Sequence, residues 1–332
     1  MKARLFVSFV AATLTTTPLV AQDTALCPAT TNAQRISQDA CQKAVDLFKY
    51  MAPQLGTSIT GGNATLGQGG SLGGLGHFTV GLRVNVVQGS LPQVQNVTPS
   101  ANGAVSTQFE TKDQFIPMPT ADLSIGIFKG LPLAVTNVGG VDLLVSAAYL
   151  PEFDNDGVSV KVPSGSLKLG YGARLGILQE SLLVPGISVS YLVRDLPKVN
   201  VAGSSGNDSL YVNNMSLKTK AWRVVASKSL LFIGLAAGFG QDKYDASTDI
   251  GAHIAARTVP PSPAANAGPV SISQNLTRTN VFADVTMNLL LFKLTGEIGQ
   301  VSGGTINTFN TFSGKQAADS RIYGSVGARF GF

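Results

Sequence analysis

The chain has 332 residues, a hydrophobic fraction of 44%, only 13% charged residues, 37 glycines and a formal charge of +5. About half the usual share of charge at ordinary hydrophobicity is odd for a water-soluble globule and natural for a barrel whose outward half-strands meet lipid. A secreted, glycine-rich β-sandwich fits the composition equally well, whereas the mild charge and the lack of a basic run exclude nucleic acid as a partner.

Lys2 and Arg4 form a basic n-region, Leu5 to Leu14 an apolar h-region, and Pro18 to Ala21 a cleavage region with small Ala21 before the cut. Residues 1–21 read as a secretory signal peptide, too short to remain as a transmembrane helix. Leu26 precedes Cys27 where a lipoprotein signal wants a small residue, so lipidation is not expected. Two of the 24 basic residues leave with the signal against 19 acidic ones, so the mature chain carries about +3. No later apolar run reaches the ~20 residues of a helical span. A membrane-bound form must therefore be a closed barrel, because lipid tolerates no unsatisfied backbone.

Residues 22–75 form a separate module, a periplasmic or plug segment. Cys27 and Cys41 are the two cysteines, and in an exported chain they are expected to pair rather than to stay as thiols. Ile36, Ala40, Ala44, Leu47, Phe48 and Met51 recur at helical spacing, with Asn32 or Thr31 as cap and Pro53 and Gly56 as terminators. The spacing predicts one short amphipathic helix over residues 32–52. Its apolar face needs a surface, which the inside of a barrel or its periplasmic mouth supplies. Gly56 to Gly76 is glycine-rich without a phosphate-loop or dinucleotide pattern and reads as linker or plug, so no cofactor is expected.

From residue 76 to 332 the pattern is all-β. His77 to Gln88 places Phe78, Val80, Leu82, Val84 and Val86 on one face and Thr79, Gly81, Arg83 and Asn85 on the other. Ser166 to Leu178 and Arg321 to Phe332 repeat this two-residue period. Weaker strands are predicted at Thr120–Phe128, Gly140–Leu150, Gly186–Asp195, Met215–Ala226, Leu230–Gln241, Thr277–Asn288 and Leu290–Gln300. The total is about ten, or twelve to fourteen if Val105–Lys112 and Thr305–Phe312 pair as well. Connections alternate in length, with long polar segments at Gly89–Pro119, Pro151–Gly165, Leu196–Asn214, Asp242–Leu276 and Val301–Ser320. Outer-membrane barrels alternate short periplasmic turns with long external loops. The expected fold is a transmembrane antiparallel up-and-down β-barrel, porin-like, in the bacterial outer membrane.

The final residues, Ser325 to Phe332, read SVGARFGF. They resemble the C-terminal targeting signal of the outer-membrane β-barrel superfamily, with Ser325, Gly327, Phe330 and Phe332 at its marked positions. The resemblance implies outer-membrane lipid and the barrel-assembly machinery as partners. The helix and glycine stretch before the first strand are similar in placement to the plug of fatty-acid-type outer-membrane transporters. No motif of that subfamily is present.

By alternation Arg83, Lys168, Arg174, Arg194, Lys293, Arg321 and Arg329 point into the lumen, as do Asp122, Asp142, Asp284 and Glu297. A basic excess lining an open pore favours anions, whereas in a narrow barrel the same charges pair and close it. Ten strands lies near the filled end of the size range. Of His77 and His253, only His253 could serve an outer-surface hydrolase, with Asp242, Asp245 or Asp249. Loop aspartates are more often solvated, and the chain is expected not to be an enzyme. Asp154, Asn155 and Asp156 form a turn that needs no ion, so no metal is expected. The expected function is passive transport of a small or hydrophobic solute through a narrow, plugged lumen. The alternatives are a surface-binding barrel without transport and, behind it, a hydrolase.

Overall fold

The structure, a computed structural model, describes residues 26–29, 32–94, 99–100, 102–155, 158–205, 207–258, 261–289 and 292–331. Residues 1–21, expected to be the signal peptide, and Thr31, Asp156 and Phe332 lie outside the described residues.

Ten strands close into one antiparallel ring. They are β1 (Phe78–Pro92), β2 (Thr111–Phe128), β3 (Gly140–Tyr149), β4 (Leu167–Leu178), β5 (Gly186–Asp195), β6 (Asp208–Leu230), β7 (Ile233–Ile254), β8 (Ala265–Leu289), β9 (Phe292–Val301) and β10 (Arg321–Gly331). Each pairs with its neighbours in sequence. Val80 opposite Phe330 and Arg83 opposite Gly327 close β1 on β10. The up-and-down order follows from the short turns, and the ring leaves no edge to satisfy. Alternation sets the two faces. Leu82, Leu169, Tyr171, Ile298 and Val326 face out and are exposed, while Arg83, Asn85, Arg174, Glu297 and Ser325 face in and are buried. Such a belt, with buried charge inside it, is stable only in lipid. Among the described residues no helix is long and apolar enough to cross a membrane.

Three differences from the expected elements have physical causes. First, β6, β7 and β8 run to 23, 22 and 25 residues, so most of Asp242–Leu276 is strand rather than loop. Beyond the belt one sheet face meets water and the other packs the N-terminal helix, so the polar run QDKYDASTDI has no simple alternation to reveal it. The sheet gains Val199–Ser205 and then Val158–Lys161 and Phe153–Asn155 at its edge. Second, Gln108–Phe109 and Thr311–Phe312 do pair, but with each other, in parallel and outside the ring. The ring stays at ten strands. Third, the helix α1 spans Asn32–Thr60 and contains Pro53.

Pro53 has no N–H to give the Lys49 carbonyl. Gln274 Nε2 reaches that carbonyl at 3.4 Å instead. Gly56 does not end the helix either. It lets the backbone lie on Tyr244, whose ring a Cβ would meet at 2.8 Å. The helix is enclosed by the ring, touching β1, β2, β5, β6, β7, β8 and β10. Its apolar residues Ala44, Val45, Phe48 and Ile59 join Met118, Leu217, Tyr244, Ala246 and Ile250 in the main core. Its polar face is buried too and is satisfied by the connections folded over it. Asp39 accepts from the Ser100 and Val105 amides, and Asp46 accepts from the Asn310 amide and Nδ2. Tyr50 stacks on Phe312 at 4.0 Å. The Cys27–Cys41 disulfide is formed, with both residues buried.

Candidate functional site: the plug and its wall contacts

A helix C-terminus leaves its last carbonyls without intrahelical partners. In α1 the barrel wall supplies them. Asn85 Nδ2 donates to Ser58 O at 2.7 Å, Arg194 Nη1 to Ile59 O at 3.0 Å, Arg223 Nη2 to Thr60 O at 3.1 Å, and Arg83 Nη1 to Gly61 O at 2.9 Å. The donors come from β1, β5 and β6, so no single strand could place them. Three guanidinium groups also face the negative end of the helix dipole, where cations are favoured. Two are held from behind by carboxylates: Arg83 Nε by Asp122 at 2.5 Å, and Arg223 Nη1 by Asp242 at 2.5 Å. Asp242 also accepts from Thr60 Oγ1 and Asn280 Nδ2, both at 3.2 Å. Gly327 stands opposite Arg83, where a Cβ would approach the Arg83 Cβ at 2.8 Å.

Below the helix the backbone reverses its demand. The glycine segment turns N–H groups to the wall, and the wall answers with acceptors. Asn63 N donates to Glu297 at 3.0 Å, Gly67 N to Asp284 at 3.0 Å, Gly69 N to Ser227 Oγ at 2.8 Å, Ser71 N to Gln179 at 2.9 Å, and Leu72 N to Asp142 at 3.1 Å. Asp284 and Glu297 are cross-strand partners, and Asp142 is paired with Arg174 at 2.8 Å. Gly62 has φ +82 and a position where a Cβ would meet Arg83 Nη1 at 2.2 Å, so only glycine fits there. Small voids remain between segment and wall. One lies beside Thr65, Arg83 and Asp122, another beside Asn63, Arg194 and Arg223. Each has room for about one water molecule.

The residues expected in the lumen are placed as follows. Arg83, Arg174, Arg194, Arg321, Asp122, Asp142, Asp284 and Glu297 are buried on the inner face. Arg329 donates to Gln68 Oε1 at 2.7 Å. Lys168 and Lys293 share the inward parity but are exposed near the first residues of β4 and β9. Arg223, Asp242 and Arg278 were missed. The alternation about Trp222 and Val224 marks Arg223, while Asp242 and Arg278 lie where the lengthened strands were read as loop or its edge. Asp242 thus belongs to the lumen and not to a loop site with His253. His253 Nδ1 lies 2.7 Å from Asn266 Oδ1, and Asp249 accepts from Ser271 and Asn214. Of the last-strand residues, Ser325 Oγ donates to Asn85 Oδ1 at 2.9 Å, and Phe330 meets Phe292 at 6.1 Å between ring centroids.

A closed ring of strands, apolar outside, polar inside and filled by an N-terminal helix and loop, defines an outer-membrane β-barrel. No protein-family model matches the sequence, and no curated protein matches it. Solved structures with a similar arrangement include the attachment invasion locus protein Ail of Yersinia pestis, at 9% identity and TM-score 0.28, covering 78% of this chain and 99% of that one. They include OmpT, an outer membrane protein of Vibrio cholerae, at 11% identity and TM-score 0.21, covering 82% and 99%. They include the Pseudomonas putida toluene transporter TodX, at 11% identity and TM-score 0.28, covering 83% and 92%. The expectation that the chain is not an enzyme is corrected here. It rested on the aspartates near His253 being solvated loop residues, but Asp242 is buried in the lumen, and a fold of this kind does not exclude catalysis.

Proposed function

We propose that the chain is a plugged conduit for passive passage of a small or apolar solute. Residues 1–21 are the export signal, 22–75 the gate, and 76–332 the channel wall. One observation carries this reading. From Ser58 to Leu72 the gate is held to the wall by hydrogen bonds between wall side chains and gate backbone. Such contacts can exchange for water, at about 1.5–3 kcal/mol for each one that involves a charged group, so the segment is seated by polar contacts that solvent can replace. The C-terminal segment with Ser325, Gly327, Phe330 and Phe332 is the part offered to the assembly machinery. The test is conductance in planar bilayers after deletion of residues 22–75. Steady ion flow is expected, and closed behaviour like that of the full chain would refute the gate.

A second reading, a surface-binding barrel without transport, is favoured by the sheet that β6, β7 and β8 extend beyond the belt together with Val199–Ser205 and Val158–Lys161. It predicts no conductance with or without the N-terminal module.

A further inference from the structure

Three of the short turns end in large exposed apolar side chains. Leu131, Leu133 and Val135 lie between β2 and β3, Leu182 and Leu183 between β4 and β5, and Leu231 and Phe232 between β6 and β7. Phe292 opens β9 beyond the fourth turn, and Leu75 lies where the glycine segment leaves the lumen at the same end. Leu182 is 91% exposed and Leu231 90%. An apolar rim of this extent is not left to water.

The rim is a built surface rather than a set of loose loops, because neighbouring turns are tied to one another. Thr136 Oγ1 donates to Gln179 O at 2.5 Å. Glu180 accepts from Ser227 Oγ at 3.2 Å and from Ser229 N at 2.5 Å. Lys228, which has outward parity, folds its ammonium onto Ser181 O at 2.5 Å and Leu182 O at 2.9 Å. Asn288 N donates to Phe232 O at 2.8 Å. Polar groups that satisfy each other in this way leave an apolar surface compatible with lipid.

The height of the belt points to the occupant. Its upper limit on the outer face is a polar row: Gln88 on β1, Lys220 opposite Lys243 on β6 and β7, and Gln300 on β9. From Gln88 down to Phe78 and from Lys220 down to Leu230 is ten residues each, and from Gln241 down to Ile233 and from Gln300 down to Phe292 is eight each. Eight to ten strand residues at about 3.3 Å, tilted about 40°, rise about 20–25 Å. That is no more than the apolar height of an outer-membrane barrel, and it is used up at the turns. On β6 and β7 the belt runs into the turn with Leu230 and Ile233 continuing directly into Leu231 and Phe232, and the one outward charge there, Lys228, is folded onto the neighbouring turn.

We infer that the turn rim is a lipid-docking surface, seated among the acyl chains and headgroup boundary of the inner leaflet instead of standing free in the periplasm. Exposed Lys129 and Lys293 lie at this end, where long stems can carry their charges to the phosphates.

The chain has a single tryptophan, Trp222, which permits a direct test. In a Trp222→Phe background, Leu182→Trp and Phe232→Trp are placed on the rim, with Gln316→Trp on the opposite, long-connection side as reference. The full-length barrel is reconstituted in vesicles of phospholipid carrying brominated acyl chains. The two rim tryptophans are expected to emit to the blue of Gln316→Trp, to lose most of their intensity to the brominated chains, and to resist aqueous iodide. Rim tryptophans quenched by iodide and untouched by the bromines overturn the inference and leave the rim to a periplasmic protein. Turn substitutions leave the ring pairings intact, and heat-modifiable migration on gels confirms folding of each variant.

Discussion

Arg194 Nη1 donates to the Ile59 carbonyl at 3.0 Å and so ties β5 to the last turn of the plug helix across 135 positions of sequence. Arg83 and Arg223 each have a carboxylate behind them. Arg194 gives its hydrogen bond to a helix carbonyl instead, so this side chain reports on the seating of the plug.

Arg194→Leu is therefore expected to loosen the plug while leaving the wall paired. A hydrogen bond to a charged group contributes about 1.5–3 kcal/mol, which raises the open population by about ten- to hundred-fold. Planar-bilayer recordings should show brief openings in the variant that the parent lacks.

Gly56→Ala is expected to destabilise by about 1–3 kcal/mol through overpacking, because the new methyl would lie 2.8 Å from the Tyr244 ring. Gly296→Ala has nothing within 4 Å and should be neutral. Urea midpoints of the two variants, followed by tyrosine fluorescence, separate the cases.

Gln274→Ala leaves the Lys49 carbonyl without its replacement donor at Pro53, at a cost of about 1 kcal/mol. Pro53→Ala returns the helical N–H to that carbonyl, so in its presence Gln274→Ala should cost much less. Hydrogen exchange over residues 49–57 in the two single variants and the double variant measures the coupling.

Replacing Cys27 and Cys41 by Ser removes a cross-link of 14 positions, which the chain-entropy model values at about 3 kcal/mol. The loss should appear as faster proteolysis within residues 26–50. Because the ring makes its own closure, heat-modifiable migration of the barrel should not change.

Much of the wall was legible because its cause is local. A strand with lipid on one side and polar filling on the other must alternate, and Phe78 to Gln88 or Leu167 to Leu178 carries that alternation within a dozen residues. The helix end was less legible. Pro53 and Gly56 are sound stop signals in water, and burial against Gln274 and Tyr244 overrides them. Beyond the belt the alternation fades, because there water and the helix, rather than lipid and lumen, set the two faces. That is why Asp242 looked like a loop residue and Arg278 drew no notice.

By itself the sequence determined the class of the wall, the faces of Arg83, Asp122, Arg194 and Glu297, and the Cys27–Cys41 pairing, and it bounded the strand count at about ten to fourteen, all of which follow from periods or from the scarcity of a residue type. Only the tertiary structure decided what fills the lumen. The carbonyls of Ile59, Thr60 and Gly61, at and just past the helix end, meet arginines 135, 163 and 22 positions away, and the amides of Asn63 and Gly67 meet acids more than two hundred positions away. Closing the ring brings each of those wall groups against the plug backbone, and a buried polar group takes the partner it finds there.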